Sequence, residues 1–459
     1  MLSENQGIGE PIVASKPVGT WVERYQIAIV FAIALTFVLL TRIPVARRIP
    51  IDPDEIGYLE TIQTTWLPIQ HSLFMASGRL ISSIVANPYH SFLILDMFVS
   101  SLALTSVWWW LRTLVRPSTA TAMTLVLAVA PTFWTYGALA GNYTAIPLVG
   151  SFLLGVTVRT WREPKLWHPY AASVVLALGT GYRQDIGLFW LPVYFIILWR
   201  HRWGTALRAS AVFTVLNLAW ILPMLVDAGG WHRYRAANGE FSYEMIYLNS
   251  IWNLGFRDAT LRYVVKLGMA LLWTFGPALI FIPAGLIRLV RSEPGRPLAA
   301  LLGISVLPAL AYHLLLAFGV PGYAFHYVPA AVALMAIGAG RAFAAVATPP
   351  AQDRAPARLT AMATLLAALF LFYPTNYDRP GAWGELEVRF CRCTRIGLQA
   401  QMPFRPLSVW RTSNTRAPHP IRWSESGLAA PSVKDPSRGD ASAPSPPGSS
   451  APRTQGVGQ

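Results

Sequence analysis

Charge is scarce in this 459-residue chain: Asp, Glu, Lys and Arg together make up 13% of it, about half the quarter typical of a soluble domain. Hydrophobic residues make up 54%, and apolar runs recur along the first four-fifths of the sequence. A soluble globular enzyme is thereby excluded. Lysine is rarer still, standing only at Lys16, Lys165, Lys266 and Lys434; with abundant Ala, Pro and Gly, this points to a GC-rich, bacterial genome. Cysteine is confined to Cys391 and Cys393, which are too close to build a disulfide framework and show no metal-ligand spacing. No cleavable signal peptide is evident, because the first apolar run follows a long polar leader and lacks a small-residue cleavage site. That run is expected to stay as a first span.

The formal net charge of +15 would suggest nucleic acid in a soluble protein. Arginine gathered in cytoplasmic loops explains it here, so no nucleic-acid partner is expected. The 18 Trp and 36 Pro suit membrane interfaces and interrupted helices.

The fold class expected is all-α, a polytopic transmembrane protein with about eleven spans. They fall near 25–41, 91–111, 118–136, 143–160, 168–182, 186–199, 208–226, 264–287, 298–318, 326–345 and 359–374. The fifth and sixth form a tight hairpin turning at Gly181-Tyr182-Arg183-Gln184-Asp185. With the N-terminus cytoplasmic, the inside loops hold Arg112 and Arg116; Arg159, Arg162 and Lys165; Arg200, Arg202 and Arg208; Arg288, Arg291 and Arg296; and Arg341, Arg354 and Arg358. Short outside loops hold only Arg183. This alternation orients a multi-pass inner-membrane protein with its C-terminus extracytoplasmic.

Two outside loops, about 42–90 and 227–263, are long and carry stretches at helical spacing, read as surface helices. The organisation expected is a cytoplasmic leader over 1–24, a transmembrane domain over 25–374 and an extracytoplasmic segment over 375–416. A tail over 417–459, rich in Pro, Ser, Ala and Gly, is expected to be disordered.

The densest acidic stretch is Asp52-Pro53-Asp54-Glu55, opening the first outside loop. It makes a good helix start, with Asp as cap, Pro at the first position and acids in the first turn. It also projects a carboxylate from a rigid turn at the membrane surface, where it can take a proton from an incoming hydroxyl. An acidic motif in the first extracytoplasmic loop, directly after the first of many spans, resembles the GT-C superfamily of membrane glycosyltransferases. Lipid A aminoarabinose transferase and the protein O-mannosyltransferases are members. The likeness covers roughly residues 25–345.

The resemblance implies an inverting transferase that moves a sugar from a polyprenyl-phosphate donor to a glycan, lipid or protein acceptor outside the cytoplasm, with membrane lipid as its other partner. It puts Asp54 in the place of the catalytic acid, with Asp52 and Glu55 as alternates. A lipid phosphate departs as a stable anion, so a base and a cationic clamp suffice, and a second carboxylate nucleophile is not demanded. No obligatory cofactor or metal is expected, although the resemblance leaves a divalent metal open.

Arg183, at the outer hairpin turn, is the candidate clamp; a pairing with Asp185 explains it equally. His232, Arg233 and Arg235 form a basic cluster flanked by Trp231 and Tyr234, suited to substrate or to lipid headgroups. His326 and Tyr327 lie at the last outside turn, Tyr323 and His313 nearby. Asp96 is an ionisable group inside a span. His71 stands in the first loop with nothing paired to it in sequence. Asn142-Tyr143-Thr144 has the form of a glycosylation acceptor, set against a span and read as chance.

Three other readings remain. A flippase or transporter of lipid-linked sugars would show inverted repeats and charges deep in its spans, and a polysaccharide ligase or polymerase would use Arg and His of a late outside loop. A subunit without chemistry would tolerate loss of all three acids. Accessibility labelling should find residues 52–55 on the extracytoplasmic face; labelling from the cytosol alone would overturn the orientation.

Overall fold

The computed structural model describes residues 21–43, 53–64, 67–340 and 354–372. The segment 375–416 and the tail 417–459 expected from the sequence, most of the leader and both cysteines lie outside the described residues, as does Asp52. No strand occurs among the described residues, and the chain is a succession of helices.

The first stretch is α1 (Trp21–Arg42). The first long loop then holds α2 (Pro53–Thr64) and α3 (Ser72–Val85). Next come α4 (Pro88–Leu111), α5 (Pro117–Ala128), α6 (Pro131–Tyr136) and α7 (Ala145–Arg162). The expected hairpin is α8 (Trp167–Tyr182) and α9 (Gln184–Trp199), with Arg183 alone between them. After α10 (Trp203–Asp227), the second long loop carries α11 (Trp231–Phe241), a π turn over Ser242–Ile246 and the short α12 (Ile251–Leu254). The rest is α13 (Phe256–Phe275), α14 (Phe281–Arg291), α15 (Arg296–Leu315), a 3₁₀ turn over Pro321–His326, α16 (Val328–Ala339) and α17 (Ala355–Phe372).

Proline places several of these starts. It stands at the first turn of α4, α5, α6, α15 and α16, where its missing N–H costs nothing and its fixed φ suits the helix. Each of the eleven apolar stretches read from the sequence overlaps a helix or a consecutive pair. Five segments are long and apolar enough to cross a membrane: Tyr25–Arg42, Pro88–Leu111, Trp203–Asp227, Phe256–Arg291 and Glu293–Leu315. Several others, such as Gln184–Trp199, are shorter.

Helix α4 is the centre of the array. It is mostly buried and packs against α1, α3, α5 and α7. Helices α14 and α16 cross closely because glycine faces backbone on both sides. A Cβ on Gly285 would collide with the Leu334 carbonyl, and one on Gly338 with the Phe281 carbonyl. In a membrane, where apolar burial drives helix association little, such small-residue contacts carry the packing. Gly285→Leu should therefore lower stability by about 1–3 kcal/mol or more, read as a fall in Tm of the detergent-purified protein. An unchanged Tm would show that the helices do not touch there.

Candidate active site

Two groups of buried polar side chains meet along one five-residue stretch, Ala140-Gly141-Asn142-Tyr143-Thr144, between α6 and α7. The first group is acidic. Glu55, in the first turn of α2, is buried, and its Oε1 accepts from the Ala140 N–H at 2.7 Å and from the Tyr89 hydroxyl at 3.4 Å. Asp96 on α4 is buried too and accepts from the Thr144 hydroxyl. Arg42, at the end of α1, is fully enclosed beside Phe133 and Trp134 and within electrostatic reach of Asp96. These are the end of α1, the N-terminal half of α4 and the first turn of α2 in the first long loop.

The second group surrounds Arg183. Helix α8 ends at Tyr182 and α9 begins at Gln184, so the extended residue between them turns its side chain inward, leaving it 3% exposed. Its Nη1 donates to Asn142 Oδ1 at 2.6 Å; its Nε and Nη2 each donate to the Asp185 carboxylate, at 3.2 Å. The Tyr143 ring lies 4.0 Å from the guanidinium carbon and the Tyr323 ring 5.3 Å, close enough for cation–π attraction. Burial alone would pull the guanidinium's pKa down, but Asp185 and the surrounding tyrosines reverse this, raising it well above its ordinary value. Arg183 is a fixed cation. Three of its five N–H groups are used.

His326 closes the other side of Asp185, donating from Nε2 to Oδ2 at 3.4 Å. Burial lowers its pKa, only partly offset by Asp185, so the ring is neutral near pH 7. Tyr327 lies one step further, its hydroxyl 2.8 Å from His313 Nδ1. His71 binds from the first loop, donating from Nδ1 to the Tyr182 carbonyl at 3.2 Å, where Asn142 Nδ2 also donates at 3.3 Å. Gln184 Nε2 holds the Ile69 carbonyl at 2.9 Å. The two long loops are themselves tied by Leu67 N–H to Asp227 at 2.7 Å.

Of the residues singled out from sequence, Arg183, His326 and Tyr327 thus come together, and Glu55 joins them through the 140–144 stretch. Asp54 occupies the second position of α2, and its side chain is not among those described. Arg233 and Arg235 sit exposed on α11, and no hydrogen bond or ion pair joins them to this group. The pairing of Arg183 with Asp185 weighed from the sequence is present, whereas Asn142, Tyr143 and His71, noted there but set aside, are members the sequence did not single out. The local signal was a lone polar residue after glycine between apolar runs, too common to single out.

The described residues thus form a many-helix array in which the first-loop helix α2 is tied through Glu55 to the 140–144 stretch that also holds Arg183. The fold is similar to ArnT from Cupriavidus metallidurans bound to undecaprenyl phosphate, with TM-score 0.52 and 15% identity over 77% of this chain. This chain covers 65% of that one. ArnT in the apo state gives TM-score 0.49 at 15% identity, covering 78% and 67% of the two chains. The Archaeoglobus fulgidus oligosaccharyltransferase in complex with Zn and sulfate gives 0.44 at 13%, covering 75% and 51%. No protein-family model and no curated protein matches the sequence.

The site also sets a pH response. Enclosure lowers the His71 pKa to about 3, with the Arg183 charge adding to it, whereas an unfolded His titrates near 6.5. Below pH 6.5 the unfolded chain therefore binds a proton that the folded chain refuses, and stability falls as the pH drops towards 3. His326 acts in the same direction. Tm in detergent should decline from pH 7.5 to 5, and the slope should be shallower in His71→Gln; parallel slopes would contradict the assignment.

Proposed function

We propose that this chain is an integral-membrane glycosyltransferase that takes a sugar from a polyprenyl-phosphate donor and passes it to an acceptor outside the cytoplasm. The observation that carries the reading is Arg183, a permanent cation walled by two tyrosines, with two N–H groups beyond those used by Asn142 and Asp185. Such a fork matches phosphate oxygens. The likeness of the fold to ArnT bound to undecaprenyl phosphate supports the same ligand class.

In this reading the lipid phosphate docks on Arg183, which stabilises the charge gathering on the leaving oxygen as the glycosidic bond breaks. Glu55, gripped by the Ala140 N–H and Tyr89, anchors the first turn of α2 as a positioning residue. Asp54, next to it, takes the proton of the attacking hydroxyl. Attack opposite the departing phosphate inverts the anomeric centre, with Asp52 as the alternate base. Arg183 supplies the positive charge, so no obligatory metal is invoked, and a divalent ion stays compatible with the scheme. The N-terminus is cytoplasmic, which puts this end of the helices outside. Arg233 and Arg235, exposed on α11, suit lipid headgroups or the approaching donor. The acceptor is a glycan, lipid or protein.

Buried charge argues against a flippase. Arg42, Glu55, Arg183 and Asp185 gather at helix ends and turns, and of the site's charges Asp96 alone lies inside a long helix, whereas a transporter's ionisable site lies near the bilayer midplane. Purified protein in nanodiscs, given a labelled polyprenyl-phosphate sugar and cell-envelope acceptor, should release free polyprenyl phosphate with transfer of label. Arg183→Gln should reduce turnover by about 10²-fold or more, and Asp54→Asn by a similar factor with lipid binding kept. Full turnover in Asp54→Asn, Asp52→Asn and Glu55→Gln alike would exclude the acidic base.

A further inference from the structure

His71 has a geometry that its place in the chain does not require. It precedes α3 with φ 57° and ψ 39°, a left-handed conformation shared among the described non-glycine residues only by Ala86. Histidine tolerates that region better than most side chains, but something must hold it there. Capping α3 is not the reason, because the ring makes no side-chain hydrogen bond to that helix. The ring turns instead to the α8–α9 turn, where Nδ1 donates to the Tyr182 carbonyl and the Tyr58 ring meets it edge-on at 5.8 Å.

A carbonyl can only accept, so Nδ1 carries the proton and Nε2 a lone pair. Nε2 has no partner among the described residues, and it is not sealed from solvent. The ring is therefore a neutral acceptor, fixed in tautomer and direction by a backbone group. The Tyr182 carbonyl it binds is one residue before Arg183, and Asn142 shares that carbonyl while holding the guanidinium. The Gln184 side chain clasps the same loop at Ile69, so ring and guanidinium form one rigid unit.

We propose that His71 is a specificity-determining residue whose Nε2 accepts a hydrogen bond from a hydroxyl of the sugar carried on the lipid phosphate. This rests on the reading of Arg183 as the phosphate contact. A phosphate there places the attached sugar ring beside the turn, and the first-loop acceptor then meets its hydroxyls. Sites built to bond a substrate hydroxyl reject analogues lacking it far better than apolar pockets distinguish shapes. His71 would thus select among donor sugars, while Arg183 binds the lipid phosphate whatever sugar it bears.

Binding to nanodisc-embedded protein separates the two roles. The probes are undecaprenyl phosphate, the same lipid phosphate linked to glucose, galactose or mannose, and singly deoxygenated forms of each. Glycine fits the left-handed position, so His71→Gly removes the ring without adding backbone strain; His71→Asn, also tolerant there, serves if the glycine variant is poorly folded. The variant should hold undecaprenyl phosphate within about twofold of wild type but bind the preferred sugar-linked lipid about tenfold more weakly. Removing the matching hydroxyl should cost wild type the same factor and the variant nothing further.

Equal binding of every sugar-linked lipid by wild type and variant would overturn the proposal. So would a wild type that binds none of them better than bare undecaprenyl phosphate, or a variant that loses the bare lipid as well. Arg183→Gln decides the underlying reading separately: unaltered binding of undecaprenyl phosphate in that variant would remove the phosphate contact, whatever His71 does.

Discussion

A guanidinium cannot be buried without partners. The isolated charge would cost many kcal/mol, and much of the molecule around Arg183 is arranged to meet that demand. Asp185 takes one edge of the fork, Asn142 another, and tyrosine rings cover its face. His326 then satisfies Asp185 from behind. A buried pair of this kind adds little net stability compared with well-packed apolar side chains, yet breaking it is expensive. Its value is in fixing one geometry, and that is what the phosphate contact proposed for Arg183 needs.

That geometry depends on chain segments remote in sequence. The α8–α9 hairpin supplies Arg183 and Asp185, the stretch before α7 supplies Asn142 and Tyr143, and the turn before α16 supplies Tyr323 and His326. The first long loop arrives from outside this core, carrying α2 with its acids and His71. It is fastened by side chain to backbone at Tyr182 and Ile69, and by Leu67 to Asp227 at the end of α10. The loops are long, but their bases are pinned to the helices, so the acidic turn and the cation keep a set relation. The proposed catalysis by positioned charge requires such preorganisation.

Much of the helical framework was legible in the sequence because burial in a membrane writes itself into composition. The apolar runs, the prolines that start helices and the hairpin around Arg183 are local signals, and the helices follow them. Asp52-Pro53-Asp54-Glu55 was legible as a helix start for the same reason, and α2 begins at Pro53. Of the groups around Arg183, Asp185 was legible as a near neighbour, but the distant ones were not. Asn142 and His326 are 41 and 141 positions away from the groups they bind, and no pattern in a single chain announces such pairings. His71 looked unpaired because its partner is a backbone carbonyl 111 positions on. Arg233 and Arg235 show the limit of a local motif: basic and aromatic residues together are easily seen in the sequence, but it does not tell whether they lie on an exposed helix, as these do, or in a buried site.

The stretch from Ala140 to Thr144 engages both polar groups with almost every residue, through a main-chain N–H, an amide, a ring and a hydroxyl in succession. Such wiring leaves no slack. A surface loop of this length would absorb an extra or missing residue with little harm, but here one added residue would put each of these contacts out of step at once. Drift in this protein is therefore freer to lengthen or shorten connections that hold none of these groups, while this one must keep its length even where its letters change.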